Sequence, residues 1–172
     1  ASLTERIGHI TGELRAFSRK AGASVGPTSL KEALDGALLL VGPRARRQGV
    51  VLQRPPTEPD YRVQANRIRL EQVLVNLLQN GMDALEGQAD GRIIIAMQDM
   101  GASVQLFVND NGPGLSPEAS ARLFTPFHTT KAEGLGLGLV ISRDIIAEFG
   151  GDLRAAHPGD AIFPCLLYTS DA

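Results

Sequence analysis

The sequence has no tryptophan, one cysteine (Cys165) and only 5% aromatic residues. A lone cysteine rules out an internal disulfide framework and a cysteine-rich metal site, which suits a reducing compartment. No apolar run approaches the roughly 18 residues needed to span a bilayer, and the N-terminus lacks a signal-peptide core. Neither sign of charge dominates: 17 Lys and Arg against 19 Asp and Glu leave −2, which offers no general attraction to nucleic acid or an anionic membrane. Partners must therefore be argued from sites. At 172 residues, 43% hydrophobic and 21% charged, the chain reads as a soluble globular domain plus an appendage. It starts without methionine inside what reads as a helix, so we expect a piece of a longer protein.

What is present centres on Arg67 to Leu85, RIRLEQVLVNLLQNGMDAL. Leu70, Val73, Leu74, Leu77, Leu78 and Leu85 fall at helical spacing and form one apolar face, while Asn76, Asn80 and Asp83 recur beside it as a polar stripe. Asparagine is a mediocre helix former, so two of them a turn apart imply a use for their amides. A carboxamide oxygen suits Mg²⁺, which joins one or two protein groups to substrate phosphates and keeps several waters. The bland alternative is that both amides are solvated or bond neighbouring backbone.

Before this helix, Leu3, Ile7, Ile10, Leu14 and Phe17 form a heptad seam that asks for partner helices. The Gly- and Pro-containing stretch from Ala21 to Ser29 reads as a linker with room for a short strand. Ser29 with Glu32 predicts a capping box for a helix carrying Leu30, Ala33, Leu34, Ala37, Leu38 and Val41. Gly42-Pro43 is expected to kink or end it, leaving Arg44, Arg46 and Arg47 as a solvated basic end. Val50–Gln53 and Tyr61–Gln64 read as short strands flanking a proline-rich turn, and Arg92–Gln98 with Ser103–Asn109 as a longer hairpin. A helix over Leu137–Phe149 and strand candidates at Leu153–Ala156 and Ala161–Phe163 complete the pattern. It predicts an α/β sandwich, helices on one face of a mixed sheet.

Three further segments carry chemistry. Asp110-Asn111-Gly112-Pro113-Gly114 follows a strand directly; a carboxylate there can accept from an amino group such as adenine's, and Gly112 and Gly114 let backbone approach a planar ring. A plain turn is the alternative reading. Leu115 to Gly134 is long and weakly periodic, as a lid would be. In it, Phe124 and Phe127 are expected to anchor the lid, and Thr129, Thr130 and Lys131 to face phosphates. His128 reads as an exposed lid residue, with no second histidine nearby to share a metal. Last, Gly134-Leu135-Gly136-Leu137-Gly138-Leu139 runs into a helix whose opened N-terminus favours phosphate oxygens.

In order and spacing, the NLLQN helix, DNGPG, FTPFHTTK and GLGLGL resemble the N, G1, F and G2 boxes of the sensor histidine kinase catalytic domain, from about Thr28 to Phe163. The resemblance implies the ATP-binding α/β sandwich shared with type II topoisomerases and mismatch-repair ATPases, the GHKL fold. By position, Asn80 matches the Mg²⁺-binding asparagine and Asn76 the one a turn earlier, near the phosphates. Asp110 matches the reader of the adenine amine, and Lys131, Gly134, Gly136 and Gly138 the lid over the triphosphate. Asp83, Thr129, Thr130, Leu135, Leu137 and Leu139 join the expected ATP-contacting set, with Asn76 and Lys131 in catalytic roles.

The implied activity is transfer of the ATP γ-phosphate to a histidine, in signalling to the receiver domain of a response regulator. ERIGHITGELRAFSRK looks like the second helix of the family's homodimerising phosphotransfer bundle, in wording close to C4-dicarboxylate-type sensor kinases. His9 lacks the following Glu or Asp and the nearby proline of the family's phosphoacceptor, so the acceptor is expected elsewhere. The implied organisation is a partial dimerisation helix over 1–21, a linker over 22–29 and the catalytic domain over 30–164. Residues 165–172, read like translated adapter sequence, form a non-native tail. The resemblance implies a cytoplasmic domain without nucleic-acid or membrane contact of its own, in a parent that can be anchored in the bacterial inner membrane. A hydrolysing ATPase or nucleotide sensor of the same superfamily is the alternative. Hydrolysing relatives carry glutamate where Asn76 stands, and an amide cannot activate water as a base.

Overall fold

The computed structural model describes residues 24–56, 59–128 and 136–155, with the backbone of Ile162–Tyr168. The heptad segment, His9 and the last residues of the tail lie outside the described residues. Within the stretch read as linker, Gly26–Ser29 forms strand β1. The Ser29 hydroxyl accepts the Glu32 N–H at 3.1 Å and caps helix α1, Leu30–Gln48. Only half of the expected capping box forms, because the Glu32 carboxylate turns toward Arg67, 3.6 Å away.

Helix α1 does not break at Gly42-Pro43; it continues through Pro43 to a left-handed cap at Gly49. Pro43 removes one N–H, but the carbonyl it would have bonded is that of Leu39, on a solvent-facing side where Leu39 is 79% exposed. Val41 and Ala45, both buried, hold the helix down on either side of the proline. Arg46 and Arg47 close the last turn as expected, whereas Arg44 leaves the basic cluster to pair with Asp83.

The two short strands around the proline turn go to different sheets. Strand β2, Val51–Gln53, runs parallel to β4, Arg92–Asp99, while β3, Arg62–Ala65, pairs antiparallel with β1. Pro55, Pro56 and Pro59 cannot donate the bonds that would close a hairpin between them. Helix α2, Arg67–Ala84, follows, capped by Asn66, whose side chain accepts the Arg69 N–H.

Strands β4 and β5, Ser103–Asp110, form the expected antiparallel hairpin. Short helix α3, Pro117–Ala121, helix α4, Gly138–Glu148, and strand β6, Asp152–Leu153, come next. The closing strand β7, Ile162–Tyr168, extends beyond Phe163 and pairs with β5 as far as Ser103. Its backbone pairs with β5 along an edge that would otherwise be left open.

The main sheet has the order β2-β4-β5-β7-β6 and mixes one parallel pairing with antiparallel ones. Ile93, Ile95, Val104, Leu106 and Val108 point to its covered face, and α1, α2 and α4 supply the other half of a single core. No helix among the described residues is long and apolar enough to cross a membrane.

Pro43→Ala restores the N–H for the Leu39 carbonyl and removes no buried contact. It should raise stability by about 2 kcal/mol, the helix-interior cost of proline less its entropic benefit in the unfolded chain. Urea unfolding of the two proteins checks this, and an unchanged midpoint would mean that Pro43 costs the helix nothing.

Candidate functional site

The polar stripe of α2 lies between the core and the open side of the molecule. Asn76, Asn80 and Asp83 are all half-buried, on successive turns beside the fully buried Leu77, Leu78 and Met82. Asn76 faces α4, where its Nδ2 donates to the Ser142 hydroxyl at 3.0 Å. A Cβ on Gly138, in the first turn of α4, would stand 2.5 Å from the Asn76 Oδ1. Glycine is therefore required here for the approach of a side chain, independent of any phosphate. Gly138→Ala would have to expel the Asn76 amide.

Asp83, at the end of the stripe, forms an ion pair with Arg44 of α1. It thus ties two helices together, a role its place in the motif did not predict. Among the described residues no group of three or more His, Cys, Asp or Glu is placed to hold a metal ion. The neutral amide oxygens of the stripe fit a hard ion such as Mg²⁺, which completes its shell with phosphate and water.

Strand β5 delivers the carboxylate. Alternation places Val104, Leu106, Val108 and Asp110 on the covered face, so Asp110 is the polar end of an apolar row. It is 8% exposed and lies under Gly81 of α2, where a Cβ would come within 3.7 Å of its own. Its Oδ1 accepts the Gly112 N–H at 2.9 Å. Burial pushes its carboxyl above the usual value of 3.8, and the N–H bonds from Gly112 and from Asp110 itself oppose the shift.

The neighbouring Asn111 is a scaffold residue that the motif reading passed over. Its Oδ1 accepts from the Arg92 N–H at 2.7 Å and its Nδ2 donates to the Asp90 carbonyl at 3.0 Å, fastening the turn to the start of β4. The signal available in sequence was Asn's habit of bonding nearby backbone. Gly114 takes the left-handed conformation beyond it.

Of the lid, α3 is capped by Ser116, and Phe124 packs partly buried against the core with the Arg143 guanidinium 4.7 Å from its ring centre. The expected second anchor is not one: Phe127 is 70% exposed. His128 is exposed, as read from sequence. Thr129, Thr130, Lys131, Gly134 and Leu135 lie outside the described residues. Beyond them, Gly136 sits against the backbone of His128, so the two described ends of the lid meet. Leu137 is 2% exposed, which gives its side chain to the core and leaves only its backbone for a ligand; Leu139 is half-buried. Helix α4 starts without a side-chain cap, leaving its first N–H groups open to an anion.

Asp110 also sets a pH dependence. Because its folded pKa is raised, the native state holds the proton more tightly, and its contribution to stability is fully present below the usual carboxylate range. That contribution is lost as pH rises through the raised value. Asp110→Asn, which keeps an acceptor for Gly112 while removing the charge, should raise the melting temperature at neutral pH and lose that advantage in acid. Thermal unfolding across a pH series checks this; a variant less stable at neutral pH would show that the buried charge is compensated.

With this geometry in place, comparison with known proteins is direct. Residues 65–166 match the profile of the family described as histidine kinase-, DNA gyrase B-, and HSP90-like ATPase. The chain is 46% identical over 156 residues to the C4-dicarboxylate transport sensor protein DctB of Rhizobium meliloti strain 1021, across 90% of this chain and 25% of that protein. It thus spans about a quarter of the length of the curated relatives it matches first. The solved catalytic domain of histidine kinase ThkA matches with a TM-score of 0.73 and 32% identity, over 84% of this chain and 95% of that one. Histidine kinase ThkA in complex with response regulator protein TrrA matches with a TM-score of 0.74 and 28% identity, over 96% of this chain and 48% of that one. Since the matched residues take in the asparagine helix, the β5 aspartate and the Gly138 start of α4, the chain belongs to the histidine kinase-, DNA gyrase B- and HSP90-like ATPases, as a catalytic ATP-binding domain of sensor histidine kinases.

Proposed function

We propose that the chain binds Mg·ATP and donates its γ-phosphoryl group to a histidine on a dimerisation helix, within a homodimeric two-component sensor kinase. The observation that carries the reading is Asp110: a buried carboxylate at a strand end, beneath the asparagine helix, with acceptor capacity beyond the Gly112 N–H. That is a place for the exocyclic amine of adenine, with Gly112 and Gly114 beside the base. The open first turn of α4 suits the phosphates, and Asn76 reaches the same turn from α2. Asn80 is the residue assigned to the metal; Mg²⁺, when bound, neutralises phosphate charge. Thr129, Thr130, Lys131, Gly134 and Leu135 are assigned to the lid over the triphosphate, with Lys131 countering charge on the transferred group.

In the reaction the bond from the γ-phosphorus to ADP breaks as one to a histidine ring nitrogen forms. The domain contributes positioning and charge neutralisation. Transfer is favoured over hydrolysis because Asn76 occupies the position of the water-activating glutamate, and its amide is already engaged by Ser142. The ThkA–TrrA complex supports a response regulator as the next phosphoryl acceptor. A cytoplasmic location, a parent anchored in the inner membrane, residues 1–21 as the second bundle helix and residues 165–172 as a non-native tail belong to the same proposal.

Titration with a fluorescent ATP analogue tests the site. Asp110→Asn turns one acceptor into a donor facing the adenine amine and should weaken binding by about 1–3 kcal/mol; equal affinities would remove Asp110 from the site. Asn80→Ala should weaken binding far more in Mg²⁺ than in EDTA, whereas Asn76→Ala should lower both alike. If the metal dependence followed Asn76 instead, every assignment on α2 would shift by one turn.

With γ-labelled ATP, an acceptor-bearing partner should gain acid-labile label and the chain alone should gain none. Label on His9 would overturn the reading of the first segment.

A further inference from the structure

Ser142, the hydrogen-bond partner of Asn76, was not among the residues the sequence motifs singled out. It lies on the buried side of α4 with Ile141, Ile145 and Ile146, and is itself 2% exposed. For packing alone, alanine would serve there and favour the helix. A buried hydroxyl is costly unless it is bonded, and this one accepts the Asn76 Nδ2–H at 3.0 Å. Gly138 stands one turn earlier on the same face of α4, with the Asn76 Oδ1 filling the space its side chain would need. The carboxamide nitrogen is therefore held by Ser142, and its oxygen lies beside the first turn of α4.

A carboxamide has nearly the same shape after a half-turn, so only its bonds select the end that faces a ligand. The N–H groups of the first turn disfavour an amine beside them, and the Ser142 hydroxyl receives that amine on the other side. We infer that Ser142 is a positioning residue for nucleotide binding: it holds Asn76 with its oxygen toward the phosphate-facing start of α4. This rests on the nucleotide reading proposed above. Without the hydroxyl the amide is free to turn, and part of the binding energy goes into ordering it again. Ser142 acts only through Asn76, which separates it from a residue that merely stabilises α4.

The test uses the full chain and four variants: Ser142→Ala, Ser142→Thr, Asn76→Ala and the Asn76→Ala/Ser142→Ala double. In the nucleotide-free protein, Ser142→Ala should shift the side-chain amide resonances of Asn76, identified by their loss in Asn76→Ala, and speed their exchange with water. Affinity for a fluorescent ATP analogue should fall about five-fold, the weight of one neutral hydrogen bond. Ser142→Thr, which keeps the hydroxyl, should restore it, and the double variant should bind like Asn76→Ala alone. Unmoved Asn76 resonances would overturn the inference, as would losses that add in the double variant. A wild-type chain that takes up no analogue overturns the nucleotide reading and this role with it, while the apo resonances still report whether the clasp exists.

Discussion

The dry contact between α2 and the covered face of the main sheet is what the site depends on. Leu70, Val73, Leu74, Leu77, Leu78 and Met82 are fully buried in the core shared with α1, α4 and the sheet, and each such burial contributes about 1.5–3 kcal/mol at most. A helix has one rotation about its axis that satisfies all of them. Once that rotation is set, Asn76, Asn80 and Asp83 have no freedom left. They line one flank of α2, where Asn76 meets α4 and Asp83 meets α1, held there by buried leucines.

The sheet obeys a parallel constraint of period two. The alternation that sends Val104, Leu106 and Val108 into the core sends Asp110 the same way, into a place where its charge is disfavoured. The lack of a side chain at Gly81 eases the close approach of the helix that covers it: a Cβ there would lie 2.9 Å from the end of the Ile93 side chain, opposite Asp110 in the ladder. The domain thus keeps a buried carboxylate that is unfavourable for stability at neutral pH, as functional sites often do.

Much of the remaining polarity holds the scaffold around these two elements. Arg44 with Asp83 joins α1 to α2, and Arg69 with Glu148 joins α2 to the end of α4. Ser29 bonds Asp60 at 2.8 Å while capping α1, so the start of that helix is tied to the strand that follows the proline turn. Such partly exposed pairs add little stability individually. Of the three, only Arg69 with Glu148 spans the two helices that flank the site, α2 and α4.

The sequence alone determined the helices and most of the strands, because hydrophobic period is a local property and the leucines of α2 and the alternation of β5 express it without ambiguity. The order and spacing of the four motifs were equally legible, and with them the family. What needed the tertiary structure was every pairing between distant residues. Nothing near Pro43 says that its lost bond falls on the solvent side of a helix anchored by Val41 and Ala45. The same holds for the separation of β2 from β3 and the exposure of Phe127. The engagement of Arg44 by Asp83, 39 positions away, and of Asn76 by Ser142, 66 away, was likewise invisible. A side chain's type limits the bonds it can make, but its partner is set by which elements pack together, and that is decided by the whole core at once.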